Sequence, residues 1–431
     1  MTIRIRGFEM QTRHSAATIY LLLRGISSLF VAVVYTVELI YQAQSIGLNP
    51  FQLVLAGMVN QLVVFVCQAP TGVLADMYSR RWAVVSGLLI IGLGFLIEGG
   101  IPSFAAVLAA QAFWGLGSSL MDGADAAWIA DELGSEQVGS LYLRATQVGW
   151  LCTLPGIALG AGLGSIHLNL PMLVGGGGYL ALGLLLAVIM PERRFKPATR
   201  ESSSSWRQMQ QTLVKGFRLI RFHPTLLVIL GTGVFSGIVG EAFGRLWQYH
   251  LLHNFAFPTI SNLPSITWFG VIEIVIALTN IVGIEIAKRR LDTNNQRAVA
   301  WGLLLIEGTT LLGIVLFALS GQFILALAGL WLLTTANGPR IPLRQAWINQ
   351  HTPSNIRATI LSFNSLVGAL AAIAGGLLIG ALATALTTRP ALLFSGLLLL
   401  PALYLYTRTL RGKLSITTTK TEGEDMMPEN T

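Results

Sequence analysis

Apolar and polar residues are arranged along this chain in blocks, and the apolar blocks are too many and too long for a soluble core. Runs rich in Leu, Ile, Val, Ala, Gly and Phe recur from residue 18 to residue 407. A helix needs about 20 such residues to cross the hydrocarbon of a bilayer. The pattern predicts spans at 18–40, 52–72, 83–98, 104–125, 146–166 and 172–190. After a polar interruption it predicts six more, at 226–246, 266–286, 298–319, 323–336, 359–386 and 392–407. The expected organisation is a six-helix bundle (residues 1–190), a basic cytoplasmic linker (191–224), a second six-helix bundle (225–410) and a disordered cytoplasmic tail (411–431). The tail is rich in Thr and Glu and has too little apolar surface to fold. Within the linker, Trp206, Met209, Leu213, Phe217 and Ile220 recur at helical spacing, with Arg207, Lys215, Arg218 and Arg221 between them. That spacing predicts an amphipathic helix lying on a leaflet, with partner binding as the alternative.

Composition agrees with lipid as the solvent. Of 431 residues, 53% are hydrophobic and 11% charged, where a soluble domain carries about 25% charged residues. The net charge of +8 would suggest nucleic acid as a partner, but its placement excludes that. With the N-terminus inside, 25 of the 28 Lys and Arg residues fall on one side of the membrane. The exceptions are Arg24 and Arg245, within spans, and Arg389, in an outer loop. This is the positive-inside rule. It predicts a multi-pass protein of the plasma (inner) membrane with both termini cytoplasmic. The first run is too long and too studded with polar residues for a cleavable signal. Cys67 and Cys152 sit in apolar runs without C-x-x-C spacing and read as packing residues.

The sharpest polar interruption is at 72–81, Gly-Val-Leu-Ala-Asp-Met-Tyr-Ser-Arg-Arg. It resembles the loop between helices 2 and 3 of major facilitator superfamily transporters, roughly G-x-x-x-D-x-x-G-R-R. Gly72, Asp76, Arg80 and Arg81 match, while Ser79 stands where the family usually has glycine. The resemblance implies a conformational gate. Asp76 would lie near the N-terminus of helix 11, and Arg80 would pair with an acid at the foot of helix 4, Asp131 being the best match. A purely topogenic loop is the bland alternative.

The two halves also resemble each other. Ala127-Trp128-Ile129 returns as Ala346-Trp347-Ile348, and Arg144-Ala145-Thr146 as Arg357-Ala358-Thr359. Each second motif precedes a glycine-rich span, with Gly156, Gly160 and Gly164 in one and Gly375, Gly376 and Gly380 in the other. Six spans per copy give both copies one orientation, the parallel-repeat arrangement of this superfamily, with substrate bound between halves. Glycine spacing of this kind lets helices approach closely. The fold class expected is therefore an all-α membrane protein of twelve transmembrane helices in two pseudo-repeats.

The stretch 122–131 looks like the end of helix 4 in multidrug and macrolide-efflux-like branches. Two antiporter signatures are degraded. Gln111 stands near the place of an arginine commonly found in helix 4, and Leu154-Pro155-Gly156 replaces a Gly-Pro pair in helix 5.

Charges within spans cost at least about 2.5–3.5 kcal/mol each at a helix centre unless paired or hydrated, so they mark candidate sites. They are Arg24 and Glu38 in span 1, Asp122 and Asp125 in span 4, and Glu241 and Arg245 in span 7. Glu273 and Glu285 follow in span 8 and Glu307 in span 9. In the superfamily, helices 1, 4, 7 and 10 line the central cavity, and six of the nine charges fall on such helices. Glu38 and Glu285 lie near span ends, where solvation is the simpler reading. Asp122 and Asp125 face two alternatives, a cavity role or a gate pairing with Arg80 or Arg81. Glu241 and Arg245, one turn apart, suit an ion pair. Glu307 has no assignment from sequence.

No H-E-x-x-H, G-x-S-x-G or paired metal spacing is present, and no G-x-x-x-x-G-K-[ST] loop for ATP. Neither an enzyme nor a bound metal or cofactor is expected. The expected function is alternating-access transport of a small molecule, as export of an amphipathic compound, with protons as the candidate coupling ion and a monomer as the expected state. The alternatives are import of a small solute or a non-transporting membrane sensor on the same fold.

Overall fold

The computed structural model of the chain describes residues 2–134, 138–197, 214, 224–258, 265–291, 295–352 and 354–411. The amphipathic helix expected in the linker and the tail expected to be disordered lie outside these residues, apart from the linker's first residues, Val214 and Pro224. Among the described residues the secondary structure is helical throughout. Eleven helices are long and apolar enough to cross a membrane. We label these spans α1 (Ala16–Gln44), α2 (Pro50–Met77), α3 (Arg80–Gly100), α4 (Phe104–Leu133), α5 (Val138–Ile166) and α6 (Leu170–Ile189). The second half holds α7 (Leu226–Asn254), α8 (Ile266–Ala287), α9 (Gln296–Leu319), α11 (Leu366–Ala385) and α12 (Thr388–Leu410). Between α9 and α11 runs α10, built of two shorter segments, Phe323–Asn337 and Arg340–His351. The twelve-helix fold class holds.

Several spans run longer than the apolar pattern suggests. Span 10 was expected to stop at 336, yet the chain continues as helix to His351. Gly338-Pro339 reads as a stop signal, but proline in the first turn of the second segment forfeits no intrahelical bond. Arg340 and Arg344, assigned from sequence to a loop, therefore belong to α10. Span 4 likewise continues past 125, as the segment Ala124–Leu133. The joint is Gly123, with φ 80°, a left-handed conformation that glycine adopts without the steric cost of a Cβ. In α1 the break falls between Tyr35 and Glu38, and Glu38 opens the next segment, where the helix dipole favours an acid.

Each half has its own core at the end of the bundle that carries the 72–81 loop and the basic loops, which we call the basic end. In the first half Trp128 is buried there and its Nε1 donates to the Pro191 carbonyl at 2.6 Å. In the second half Trp347 is buried against Tyr406, ring centroids 5.4 Å apart. The two tryptophans of the sequence repeat thus occupy the same place in their halves.

The halves meet at the opposite, far end. Val54 of α2 packs on Gly376 and Gly380 of α11, and the Phe51 amide donates to Thr384 Oγ1 at 2.9 Å. Across the other seam, Ala161 and Gly164 of α5 meet Gly270 and Ile266 of α8. One apolar cluster joins Val37, Val54 and Met58 to Leu246, Phe269 and Ile379 of the second half. The clusters toward the basic end stay within one half, among the described residues. On α2 near that end, Leu74 and Tyr78 are exposed, and nothing lies within 4 Å of a Cβ built on Gly72. Among the described residues the halves close on each other at the far end and are parted at the basic end.

The glycine stripes differ between halves. Gly156 and Gly160 admit the backbone of α1 at Leu29 and Val33, inside their own half. Gly376 and Gly380 face α2 of the other half.

Candidate functional site

Polar side chains gather at three places within the spans. The first is a cavity of about 360 Å³ in the first half. Arg24, Asp122, Asp125 and Ser118 give it a polar side, and Trp114 and Tyr179 an aromatic one. The α4 break positions the acids. Asp122 ends one segment and Asp125 lies in the first turn of the next. Asp125 meets Arg24 of α1 at 3.5 Å, and Asp122 Oδ2 accepts from Gln68 Nε2 of α2 at 2.9 Å. The alternative pairing of these acids with Arg80 or Arg81 does not occur here.

The second place is a network across the far-end closure. Glu38 is 2% exposed, so the solvated reading from its position near a span end is corrected. Its Oε1 accepts from Gln111 Nε2 of α4 at 2.6 Å and from Gln42 Nε2 at 3.2 Å. Gln42 also donates to Glu98 Oε1 of α3 at 2.7 Å. From the second half, Arg245 reaches Gln111 Oε1 at 3.5 Å and Glu241 at 3.4 Å. Gly57 of α2 makes room for this pair, since a Cβ there would lie 2.5 Å from Glu241 Oε1. Glu98, fully buried, escaped the sequence reading because it is the last residue of the apolar run 83–98 and passed for a span end. The helix continues to Gly100.

The third place is in the second half. Glu307 finds its assignment as a buried acceptor for Ser236 Oγ at 2.6 Å and a partner of Arg340 at 3.3 Å. Beside it, Glu273 lines a cavity of about 230 Å³. Glu285 is solvent-facing and pairs with Arg289 at 2.7 Å.

At the basic end, Arg80 binds Asp131 at 2.6 Å, the Ala127 carbonyl at 3.1 Å and Asp76 at 3.0 Å. Asp76 is 52% exposed; the side chains at the start of helix 11, against which the resemblance places it, lie outside the described residues. The described α2–α11 contacts lie at the far end. Ser79 caps α3 by accepting from the Trp82 amide, so the departure from glycine supplies a helix cap. The Arg81 amide donates to Glu192 Oε1 at 3.0 Å, and its guanidinium to the Ala187 carbonyl. Among the described residues no group of three or more His, Cys, Asp and Glu could hold a metal ion.

Against this geometry, the model of the Major Facilitator Superfamily matches residues 17–308. The chain is 23% identical over 361 residues to the uncharacterised MFS-type transporter YxaM of Bacillus subtilis (strain 168), covering 83% of this chain and 86% of that one. Among solved structures, the nucleoside transporter NupG superposes with a TM-score of 0.74 at 12% identity, over 92% of this chain and 99% of that one. A bacterial homologue of the human lysosomal transporter Spinster gives 0.70 at 13% identity, over 93% and 97%. At such identities the superpositions establish the fold.

Proposed function

The chain belongs to the major facilitator superfamily of membrane transporters, and from that premise we propose that it exports a small amphipathic molecule by rocking its two halves. The observation that carries the reading is the closure at one end only. The halves touch around Val54, Gly376 and Gly380 and part at the other end, as alternating access requires of one of its two states.

The basic end is cytoplasmic in this reading, by the bias of Lys and Arg. The molecule therefore stands inward-open. Substrate enters the first-half cavity from the cytoplasm, where Arg24, Asp122 and Asp125 face Trp114 and Tyr179. Polar groups on one wall and rings on the other suit an amphipathic cargo. The far-end network of Glu38, Gln111, Glu241 and Arg245 holds the outer side shut, and its carboxyl groups are the candidate carriers of a coupling proton. Arg80 and Asp131 fasten the loop to α4 in this state, and Asp76, held by Arg80 here, meets α11 in the other.

The test is a substrate screen in inverted vesicles with and without an imposed proton gradient. Uptake that rises with an acid-inside gradient supports export by proton antiport. Accumulation only in right-side-out vesicles would replace export by import, and the absence of flux with retained binding would favour a sensor.

A further inference from the structure

The second-half cavity is a built space lined by an unpaired carboxyl group. On α7, Val239, Gly240, Phe243, Gly244 and Trp247 line it, positions that share one helical face. Gly240 and Gly244 recess that face, and a Cβ on either would meet nothing within 4 Å. Phe243 and Trp247, 7% and 8% exposed, stand along the wall. From α9 and α10 come Thr310, Thr334, Asn337 and Arg340.

The polar groups are unequally satisfied. Arg340 pairs with Glu307 at 3.3 Å and donates to Thr310 Oγ1 at 2.9 Å, while its Nε is buried without a partner. Glu273 has no hydrogen-bond or ion-pair partner among the described residues. Asn337 Oδ1 is buried and also without a partner. Two acceptors, one of them a carboxyl group, thus line an apolar, partly aromatic cavity at membrane depth. Buried polar groups of native proteins almost always have partners, and an unpaired intramembrane acid points to a function. The missing complement is a donor with positive charge, which the aromatic walls also favour.

We propose that this cavity binds the ammonium group of a small amphipathic amine, with Glu273 as its counter-charge and Asn337 as a second acceptor. A volume of about 230 Å³ fits one aromatic ring and a short aminoalkyl arm. The proposal goes beyond the transport reading, since this cavity is separate from the first-half one assigned to substrate entry, and its test reads binding alone.

The probes are 2-phenylethylamine and its neutral counterpart 2-phenylethanol, used on the full chain in detergent. In a Gly244→Cys variant, the amine should slow alkylation by N-ethylmaleimide and the alcohol should not. By calorimetry, Glu273→Gln should weaken amine binding at least tenfold. It should leave the melting temperature unchanged or raised, because the carboxyl group it removes has no partner. Equal protection by both probes, undiminished affinity in Glu273→Gln, or no amine binding to the folded native chain each overturn the proposal. A Glu273→Gln protein that fails to fold marks the carboxyl group as structural and overturns it too. Amine binding without flux in vesicles leaves the site standing and removes the transport reading.

Discussion

Glu241→Gln strands Arg245 at the far-end closure, and the cost can be worked from the contacts. The pair lies at 3.4 Å with side chains 16% and 19% exposed. At an effective dielectric of about 20 the attraction at that distance is about 5 kcal/mol, and breaking a buried pair typically costs about 3–5 kcal/mol. Arg245 keeps Gln111 Oε1 at 3.5 Å and has Glu38 beyond it, so part of the loss is recovered. We expect a destabilisation of about 2–3 kcal/mol, near the cost of a lone charge at a helix centre. Changing Arg245→Met as well removes the stranded cation and should bring stability back to within about 1 kcal/mol of the native protein. The assay is SDS-induced unfolding in mixed micelles for both single variants and the double variant, followed by transport in vesicles. If Glu241 carries the coupling proton, the stable double variant exchanges substrate at equilibrium but fails to use a gradient. Full gradient-driven transport by the double variant refutes that role and turns attention to Asp122 and Asp125. A Glu241→Gln single variant as stable as the native protein refutes the pairing argument itself.

Three further outcomes are expected. For topology, cysteine at Ile101 should react with an impermeant maleimide in intact cells and cysteine at Tyr78 should not. These exposed sites (54% and 70%) avoid the caps at Ser103 and Ser79, and reversed labelling would overturn the orientation. Asp76→Asn should change stability by less than about 1 kcal/mol, because its bond to Arg80 is a surface pair, yet slow the transport cycle; unaltered flux at equal expression would make the loop topogenic only. Gly57→Leu drives a side chain into Arg245 and Glu241 and should prop the far end open. A disulfide between cysteines placed at Phe51 and Thr384 should then form more slowly, and an unchanged rate would mean the closure does not depend on this contact.

Much of the fold is legible in the sequence, since lipid demands long apolar runs and the repeat of Ala-Trp-Ile marks equivalent helix ends. The sites are legible only as single residues. Spacing shows that Asp125 is an acid in a span, but not that Arg24, 101 positions earlier, faces it. Glu98 shows the limit most clearly. Hydropathy reports where an apolar run ends, and cannot tell a carboxyl group bathed in water from one buried against Gln42. Arg340 was misplaced for a related reason, because Gly338-Pro339 carries the chemistry of a stop and α10 passes through it.

The seam at the far end has a thermodynamic consequence. Beside the polar network of Glu38, Gln111, Glu241 and Arg245, it is made of Val54 on Gly376 and Gly380, and of Ala161 on Gly270, contacts of methyl groups and backbone. Opening it wets apolar surface, and closing the basic end dries apolar surface elsewhere. Heat capacity follows apolar hydration, so the two contributions oppose each other, and where they cancel, the logarithm of the ratio of inward-open to outward-open molecules runs straight against inverse temperature. Curvature in a van 't Hoff plot of that ratio would measure how unequal the two seams are in apolar surface.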